Sequence, residues 1–317
     1  DEGSRSRFVL EAEVTGGLEH PGIVPVYGLG QYEDGRPFYA MRFIRGDSLK
    51  EAADRFHQQP TSENPDKGTS HGRPSFDSVS FRRLLGRFVD VCNAVAYAHS
   101  RGVLHRDLKP GNIMLGKYGE TLVVDWGLAK VRGREEDTRF DDETTLNPKS
   151  GSGSAPTQMG TAMGTPAYMP PEQAKGDLEK IGPASDVYSL GATLYYLLAG
   201  KPPLSSSDLV DVLNKVRVGE FDPPRRHRHD IPRALESVCL KAMATSPAQR
   251  YESPQSLADD VERYLADEPV TAHRESIVSR ARRWIRKHPT SVAMLAMIVL
   301  GLFGIALVQF RANQTLY

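Results

Sequence analysis

Two polar segments carry the residues of this sequence that are best suited to chemistry. The first, residues 105–112, reads HRDLKPGN and contains Asp107, Lys109 and Asn112. The second begins at Asp125, eighteen residues after Asp107, directly behind the apolar residues 122–124. A carboxylate can accept a proton from a hydroxyl group, and carboxylate and amide oxygens bind Mg²⁺. Each residue alone is better explained as part of a solvated loop or a turn, so only the set indicates a site.

Three further motifs follow the first segment in order. Residues 125–127 read DWG, residues 164–172 read GTPAYMPPE, and residues 186–191 read DVYSLG. Together with HRDLKPGN and with Arg250, they resemble the motifs of the eukaryotic-like (Hanks-type) bacterial serine/threonine protein kinases. In that family the arginine pairs with the glutamate that ends the GTPAYMPPE element, here Glu172, and the resemblance covers residues 8 to about 267. Five ordered motifs form a specific signal, whereas any one of them is a weak signal.

The resemblance implies transfer of the γ-phosphate of ATP, with Mg²⁺, to serine and threonine hydroxyls of substrate proteins. Asp107 matches the residue that orients the incoming hydroxyl and accepts its proton, and Lys109 matches the residue that reaches the transferred phosphate. Asn112 and Asp125 match the two Mg²⁺ ligands. His105 is better explained as a packed structural residue than as an acid or a base.

The resemblance also assigns residues around the peptide-binding segment. Arg106 matches the arginine that meets a phosphorylated activation loop, and Thr165 matches a threonine that contacts the catalytic aspartate and lysine. The segment from Asp125 to Glu172 is rich in hydroxyl groups, and Thr157 and Thr161 are the candidates for regulatory phosphorylation. The alternative is an unmodified flexible loop.

The nucleotide pocket is matched by residues further towards the N-terminus. Glu11 matches the acid that pairs with the ATP-binding lysine, Met41 the gatekeeper, Phe43 the hinge beside adenine, and Met114 the floor of the pocket. The last three are also consistent with ordinary core or edge residues. The glycine-rich loop and the ATP-binding lysine are expected before residue 1, so the sequence is interpreted as an N-terminally truncated fragment that binds ATP weakly or not at all.

The match departs from the family pattern at two positions. Trp126 stands where the family has phenylalanine, which keeps an aromatic plug but leaves the active and inactive packing of that segment open. Pro170 replaces the usual alanine and is expected to be harmless. Neither departure removes a predicted metal ligand.

The elements that must position these residues follow from periodicity. Residues 24–29 and 37–44 are predicted strands joined by a turn around residues 33–35, and a capping box at Ser48–Glu51 opens a helix. Apolar residues from Phe81 to His99 follow a helical stripe. The short apolar runs on either side of residues 117–119 predict a second hairpin, and residues 187–198, apolar on nearly every side, predict a buried helix. We therefore expect an α+β, kinase-like two-lobe fold. The predicted parts are an N-lobe remnant (1–46), a mostly helical C-lobe (47–272) with disordered insertions near 58–76 and 132–160, and a basic juxtamembrane segment (273–289).

The C-terminal part carries a membrane signal. Residues 291–310 contain no charged side chain, and twenty helical residues span about 30 Å, the thickness of a hydrocarbon core. Residues 273–288 carry six Lys or Arg and one Glu, a net charge of +5. The positive-inside rule then predicts a single-pass helix at 290–310, a cytoplasmic kinase part, contact with anionic lipid, and an extracytoplasmic part that begins at 311–317. Homodimerisation is a further expectation from this architecture.

Composition excludes other classes. The 317 residues hold 40 Lys and Arg against 40 Asp and Glu, so the balanced charge argues against a nucleic-acid-binding protein. Two cysteines, Cys92 and Cys239, cannot build a disulfide framework and are expected as buried thiols. Two alternatives to a kinase remain: a catalytically inactive pseudokinase scaffold at the membrane, and a small-molecule phosphotransferase of the same fold. The GTPAYMPPE element, which shapes a peptide groove in protein kinases, argues against the second.

Overall fold

The computed structural model describes residues 12, 14–58, 75–126, 130–131, 166–206 and 208–273, together with residues 285, 290, 294, 297, 298 and 300–305. The chain divides into two units, Asp1–His273 and Arg274–Tyr317. The described residues of the second unit are helical and exposed. No helix among the described residues combines the length and the apolar composition needed to cross a bilayer. Of the predicted span, residues 290–310, the described residues are 290, 294, 297, 298 and 300–305.

The first unit opens with a strand hairpin. Strands β1 (Val26–Gln31) and β2 (Pro37–Met41) pair in antiparallel fashion, with Gln31 opposite Pro37. Gly35 in the connecting turn has a φ of 84°, a conformation that glycine adopts without strain. The predicted hairpin is therefore confirmed, although both strands differ by two or three residues from their predicted bounds.

A second sheet positions the chemical residues. Strand β3 (Gly46–Ser48) pairs with β5 (Ile113–Gly116), which pairs in turn with β6 (Thr121–Val123), both in antiparallel fashion. The predicted hairpin around residues 117–119 is thus confirmed. Ile113 lies opposite Val123, so the residue before β5 and the residues after β6 meet at the same end of the sheet. A short pair, β4 (Val103–Leu104) with β7 (Lys130–Val131), lies beside this region.

Two helices follow the predicted signals closely. Helix α1 (Leu49–Gln58) begins with the capping box: the Ser48 amide donates to Glu51 Oε2 at 2.7 Å, and the Glu51 amide donates to Ser48 Oγ at 3.2 Å. Helix α2 (Val79–Ser100) buries the predicted apolar stripe and ends before Gly102, whose φ is 76°. Of the segment predicted as a disordered insertion near 58–76, Gln58 belongs to α1 and Phe76 is buried in the core, whereas residues 59–74 lie outside the described residues.

The C-terminal half is helical. It comprises α3 (Pro171–Ala174), α4 (Pro183–Ala199), α5 (Leu209–Val218), α6 (Pro224–His227), α7 (Arg233–Ala242) and α8 (Pro254–Leu265). Helix α4 is buried from Ser185 to Leu198, because its sequence is apolar on nearly every side. It packs against α7, and its glycine at 191 faces Ala242 and Met243.

The core is one large cluster with a smaller satellite. The large cluster joins α1, α2, α4, α7 and α8 and includes both cysteines, which are buried free thiols as predicted. The satellite consists of Met169, Ala174, Val212, Leu213 and Val216, and fixes α5 against the segment that leads into α3. The insertion predicted at 132–160 lies outside the described residues.

Candidate active site

A buried acid, Asp186, fixes the backbone of the loop between β4 and β5. The carboxylate of Asp186, which is 1% exposed at the start of α4, accepts the amide of His105 and the amide of Arg106, each at 2.9 Å. His99 Nε2 contacts the same carboxylate at 2.7 Å. Arg106 has a φ of 69°, in the left-handed region that costs free energy for a residue with a side chain. Asp186 thus stabilises the strained backbone at Arg106, which sets the position of the next residue, Asp107.

The protonation states around this turn have identifiable causes. Burial raises the pKa of Asp186, but hydrogen bonds from His99 and from the Arg106 amide outweigh it and leave the pKa below its ordinary value. Burial lowers the pKa of His105, whose ring is fully buried against the Trp126 indole with centroids 4.5 Å apart. His105 is therefore neutral and packed, as the sequence predicted.

The four chemical residues converge. Lys109 Nζ lies 2.6 Å from Asp107 Oδ2, and Asn112 Nδ2 donates to the Asp107 carbonyl at 3.0 Å and to Asp125 Oδ2 at 3.2 Å. Asp107 and Lys109 are partly exposed, with side-chain exposures of 11% and 23%. Two acids, one amide and one ammonium group therefore meet at a surface that solvent and a substrate can reach.

The sheet explains this convergence. The Val124 amide donates to the Asn112 carbonyl at 3.0 Å, which continues the β5–β6 ladder by one more bond. Asp125 follows with a φ of 64° and is exposed, whereas the next side chain, Trp126, turns back into the core and is 1% exposed. The alternation sends the carboxylate outwards and the indole inwards.

A cavity adjoins the acidic group. It has a volume of about 190 Å³ and is lined by Thr15, Val24, Tyr39, Met41, Val124, Asp125 and Trp126. Of the residues predicted to bind the nucleotide, Met41 lines this cavity. Phe43, which is 81% exposed, and Met114 in β5 are not among its lining residues. Glu11 and Thr165 lie outside the described residues, as do Thr157 and Thr161, and all these assignments stay predictions.

Glu172 in helix α3 forms a buried ion pair with Arg250. Arg250 binds Glu172 in bidentate fashion at 2.7 and 2.8 Å, and the two side chains are 0% and 4% exposed. Ser185 Oγ also donates to Glu172 at 2.7 Å, and Arg250 donates to the carbonyls of Ala184 and Ala244, each at 2.8 Å. The pair predicted from the sequence is confirmed, and its hydrogen bonds offset the cost of burying both charges.

Comparison with known proteins decides the family. The sequence model described as the protein kinase domain matches residues 1–261. This chain belongs to the protein kinase domain family. The prediction of a kinase-like fold is thereby confirmed, and the mixed helices and strands described above agree with it.

Similar proteins are named serine/threonine-protein kinase PknD. The chain is 37% identical over 266 residues to the protein of that name from Protochlamydia amoebophila, which covers 82% of this chain and 26% of the relative. It is 35% identical over 271 residues to the one from Chlamydia abortus (84% and 27%) and 34% identical over 290 residues to the one from Chlamydia trachomatis serovar L2b (88% and 29%). The chain thus spans about a quarter of the length of these relatives.

The residues of this kinase domain fit a Mg²⁺ ion bound with a nucleotide. Asn112 and Asp125 are adjacent, and the Asp125 carboxylate is exposed beside the cavity. Mg²⁺ takes few protein oxygens and keeps water and phosphate oxygens as its other ligands. In the part of the chain that the structure describes, no three His, Cys, Asp or Glu side chains form a metal-binding group. Two protein ligands, Asn112 and Asp125, therefore suit a Mg²⁺ ion whose other ligands are phosphate and water oxygens.

Sequence reasoning missed two positioning residues of the kinase domain. Gln173 Nε2 donates to the Arg106 carbonyl at 3.3 Å and so fixes the strained turn from the side of α3. His99 lies on the apolar stripe of α2, which predicts only packing for it, but its ring binds Asp186. A polar residue at a buried position was the available signal, and the sequence gives no indication of the partner 87 residues away.

Proposed function

We propose that the intact protein is a serine/threonine protein kinase that transfers the γ-phosphate of Mg-ATP to hydroxyl groups of substrate proteins. The observation that carries this proposal is the convergence of Asp107, Lys109, Asn112 and Asp125 within hydrogen-bonding distance beside a cavity. Phosphoryl transfer depends on positioning and charge stabilisation, and these four side chains supply both.

Each residue has one part in the reaction. Asp107 orients the serine or threonine hydroxyl and accepts its proton as the oxygen attacks the γ-phosphorus, while the bond from that phosphorus to the β,γ-bridging oxygen breaks and ADP leaves. Lys109, whose ammonium group is 2.6 Å from Asp107, neutralises charge on the transferred phosphoryl group. Asn112 and Asp125 would hold Mg²⁺, which would supply positive charge beside the phosphate oxygens. The Asp186 carboxylate keeps the Asp107 turn in place throughout.

Radiolabelled phosphate transfer to a generic protein acceptor tests the activity. In the full-length protein, Asp107→Asn removes the proton acceptor at constant shape and should reduce transfer by about 10²–10⁴-fold. Asp211→Asn makes the same change at a surface residue paired with Lys215 and should leave transfer unchanged. Equal transfer by the wild type and Asp107→Asn would refute the role of Asp107.

The alternative is a pseudokinase scaffold at the membrane. A scaffold has no need of all four reactive groups, and their joint presence favours the enzyme. If the full-length wild-type protein bound Mg-ATP in a calorimetric titration but transferred no phosphate to any acceptor or to itself, the scaffold would be the better account.

We also propose membrane attachment, which rests on the sequence. Residues 291–310 are uncharged and follow a segment of net charge +5, the pattern of a single-pass helix with the kinase part in the cytoplasm. The basic segment would contact anionic lipid, and pairing of two spans would bring two kinase domains together as a homodimer. Release of the intact protein from membranes by alkaline carbonate would contradict the attachment.

A further inference from the structure

Residues 270–273, here called the C-terminal strap, fold back onto the kinase domain after α8. Helix α8 ends with bonds from the Ala266 amide to Glu262 and from the Glu268 amide to Arg263, at 2.8 and 2.7 Å, which reverse the chain. Val270 is then buried in the main core with 4% exposure. The strap contains the last residues of the first unit, and the basic segment follows it directly in the sequence.

A buried carboxylate on α8 anchors the strap. Asp260 is 0% exposed and accepts three hydrogen bonds from it: from the Thr271 amide and the Thr271 hydroxyl, each at 2.7 Å, and from the Ala272 amide at 3.1 Å. Burial raises the pKa of Asp260, but the Thr271 and Tyr251 donors outweigh it and hold the pKa below its ordinary value. A buried carboxylate without such donors would be costly, so the strap and Asp260 stabilise each other.

Helix α7 provides a second attachment. His273 Nδ1 and Ser237 Oγ are 3.1 Å apart, and Lys241 Nζ lies 3.4 Å from the Thr271 hydroxyl. Thr271 is nevertheless exposed to solvent. The strap is thus held by one buried apolar side chain, Val270, and by a few specific polar bonds at the edge of the domain, where local opening costs less than global unfolding.

The anchor is shared with the active-site framework. Tyr251 donates its hydroxyl to Asp260 Oδ2 at 2.8 Å, and Tyr251 directly follows Arg250. Arg250 holds Glu172 in α3, and Ser185 Oγ binds Glu172 from the first turn of α4. The next residue of α4 is the acid that fixes the catalytic turn. Buried polar contacts and adjacent backbone therefore connect the strap to the catalytic loop without a gap.

We propose that the C-terminal strap is a releasable latch, and that its docking is coupled through Asp260 and Tyr251 to the Arg250–Glu172 pair and helix α3. Any force or binding event on the chain after His273 acts on the strap first. Its release removes three donors from Asp260 and leaves the Tyr251 hydroxyl at 2.8 Å and Arg263 Nη1 at 3.3 Å as its donors. The Tyr251 bond then carries more of the carboxylate's solvation, and through the adjacent backbone this changes the support of Arg250. The effect on catalysis rests on the proposed kinase activity, whereas the coupling itself does not.

Amide hydrogen exchange of the full-length protein tests the coupling without any turnover. Thr271→Val keeps the shape and the backbone amide but removes the hydroxyl that donates to the Asp260 carboxylate and accepts from Lys241, so exchange of the residue 271 and 272 amides should accelerate about tenfold. The amides of residues 173–175, which close the first turn around α3, should also accelerate. Amides in the middle of α4 report global unfolding and should not change.

A double-variant comparison isolates the route. Tyr251→Phe leaves the bonds between the strap and Asp260 in place but removes the bond between Tyr251 and Asp260. When Thr271→Val is added to Tyr251→Phe, amide exchange at residues 271 and 272 should still accelerate. Exchange at residues 173–175 should stay at the rate measured in Tyr251→Phe alone. Unchanged exchange at 271 and 272 in Thr271→Val would overturn the latch. Unchanged exchange at 173–175 in the single variant, or an undiminished effect in the Tyr251→Phe background, would overturn the coupling. Each readout is independent of phosphate transfer, so a failure of the proposed function would be seen separately.

Discussion

Ion pairs in this kinase domain contribute differently to its stability, according to how deeply their side chains are buried. Arg250 and Glu172 form a bidentate pair with almost no solvent access, and Arg250 also satisfies three backbone carbonyls. Asp177 and Lys180 form an even shorter contact, 2.5 Å against 2.7 Å, but their side chains are 33% and 67% exposed. Water screens the second pair and not the first, so the same chemistry contributes differently to stability.

Neutralising one partner of each pair measures this difference. Glu172→Gln leaves Arg250 buried without its counter-charge and should lower the free energy of unfolding by about 3–5 kcal/mol. Asp177→Asn, the matched change at the surface, should lower it by less than about 1 kcal/mol. Urea denaturation of both variants provides the values. Similar losses in the two variants would mean that burial does not determine the contribution of these pairs.

Single residues also show the limits of prediction from sequence. The convergence of Asp107, Asn112 and Asp125 was predictable because they belong to two motifs whose order and spacing resemble those of the family. The roles of His99 and Gln173 were not, because each acts on a residue far away in the sequence, and no periodicity encodes such a contact. Long-range polar partners depend on the packing of whole elements, which the sequence specifies only collectively.

At the scale of elements, the strongest predictions came from local signals. The capping box opened α1 at the predicted residue, and the uniformly apolar segment became the buried helix α4. The bounds of β1 and β2 shifted, because strand ends are set by pairing and not by local preference. The close approach of α4 and α7 was not predictable, since it depends on one glycine facing the right neighbour.

That glycine makes the helix contact testable. A Cβ at Gly191 would lie 2.8 Å from both Ala242 Cβ and Met243 Cγ, so Gly191→Ala should force α4 and α7 apart at a cost of about 1–3 kcal/mol. Gly86 in α2 has no heavy atom within 4 Å of such a Cβ. Gly86→Ala should therefore stabilise the domain by about 0.5–1 kcal/mol through helix propensity. Thermal denaturation distinguishes the two, and the same sign for both would contradict the packing explanation.

For the whole molecule, buried titratable groups link folding to pH. Burial lowers the pKa of His105 and of His57, so below about pH 6.5 the unfolded chain binds protons that these folded imidazoles do not yet bind. At Asp186, Glu172 and Asp260 the hydrogen-bond donors outweigh the effect of burial and leave each pKa below its ordinary value. Below about pH 4 these carboxylates therefore bind protons in the unfolded chain before they do so in the folded domain. In both cases the free energy of unfolding decreases as the pH falls.

We therefore expect two separate losses of stability on acidification, the first beginning below about pH 6.5 and the second below about pH 4. Urea midpoints measured from pH 8 to pH 3 would show them. His57→Gln retains a donor for the Leu197 carbonyl, which His57 Nε2 contacts at 3.0 Å, and removes the titrating ring, so it should flatten the first loss. His229→Gln changes an exposed side chain and should leave the profile as in the wild type. A first loss of unchanged size in His57→Gln would assign that window to other groups and remove His57 from the account.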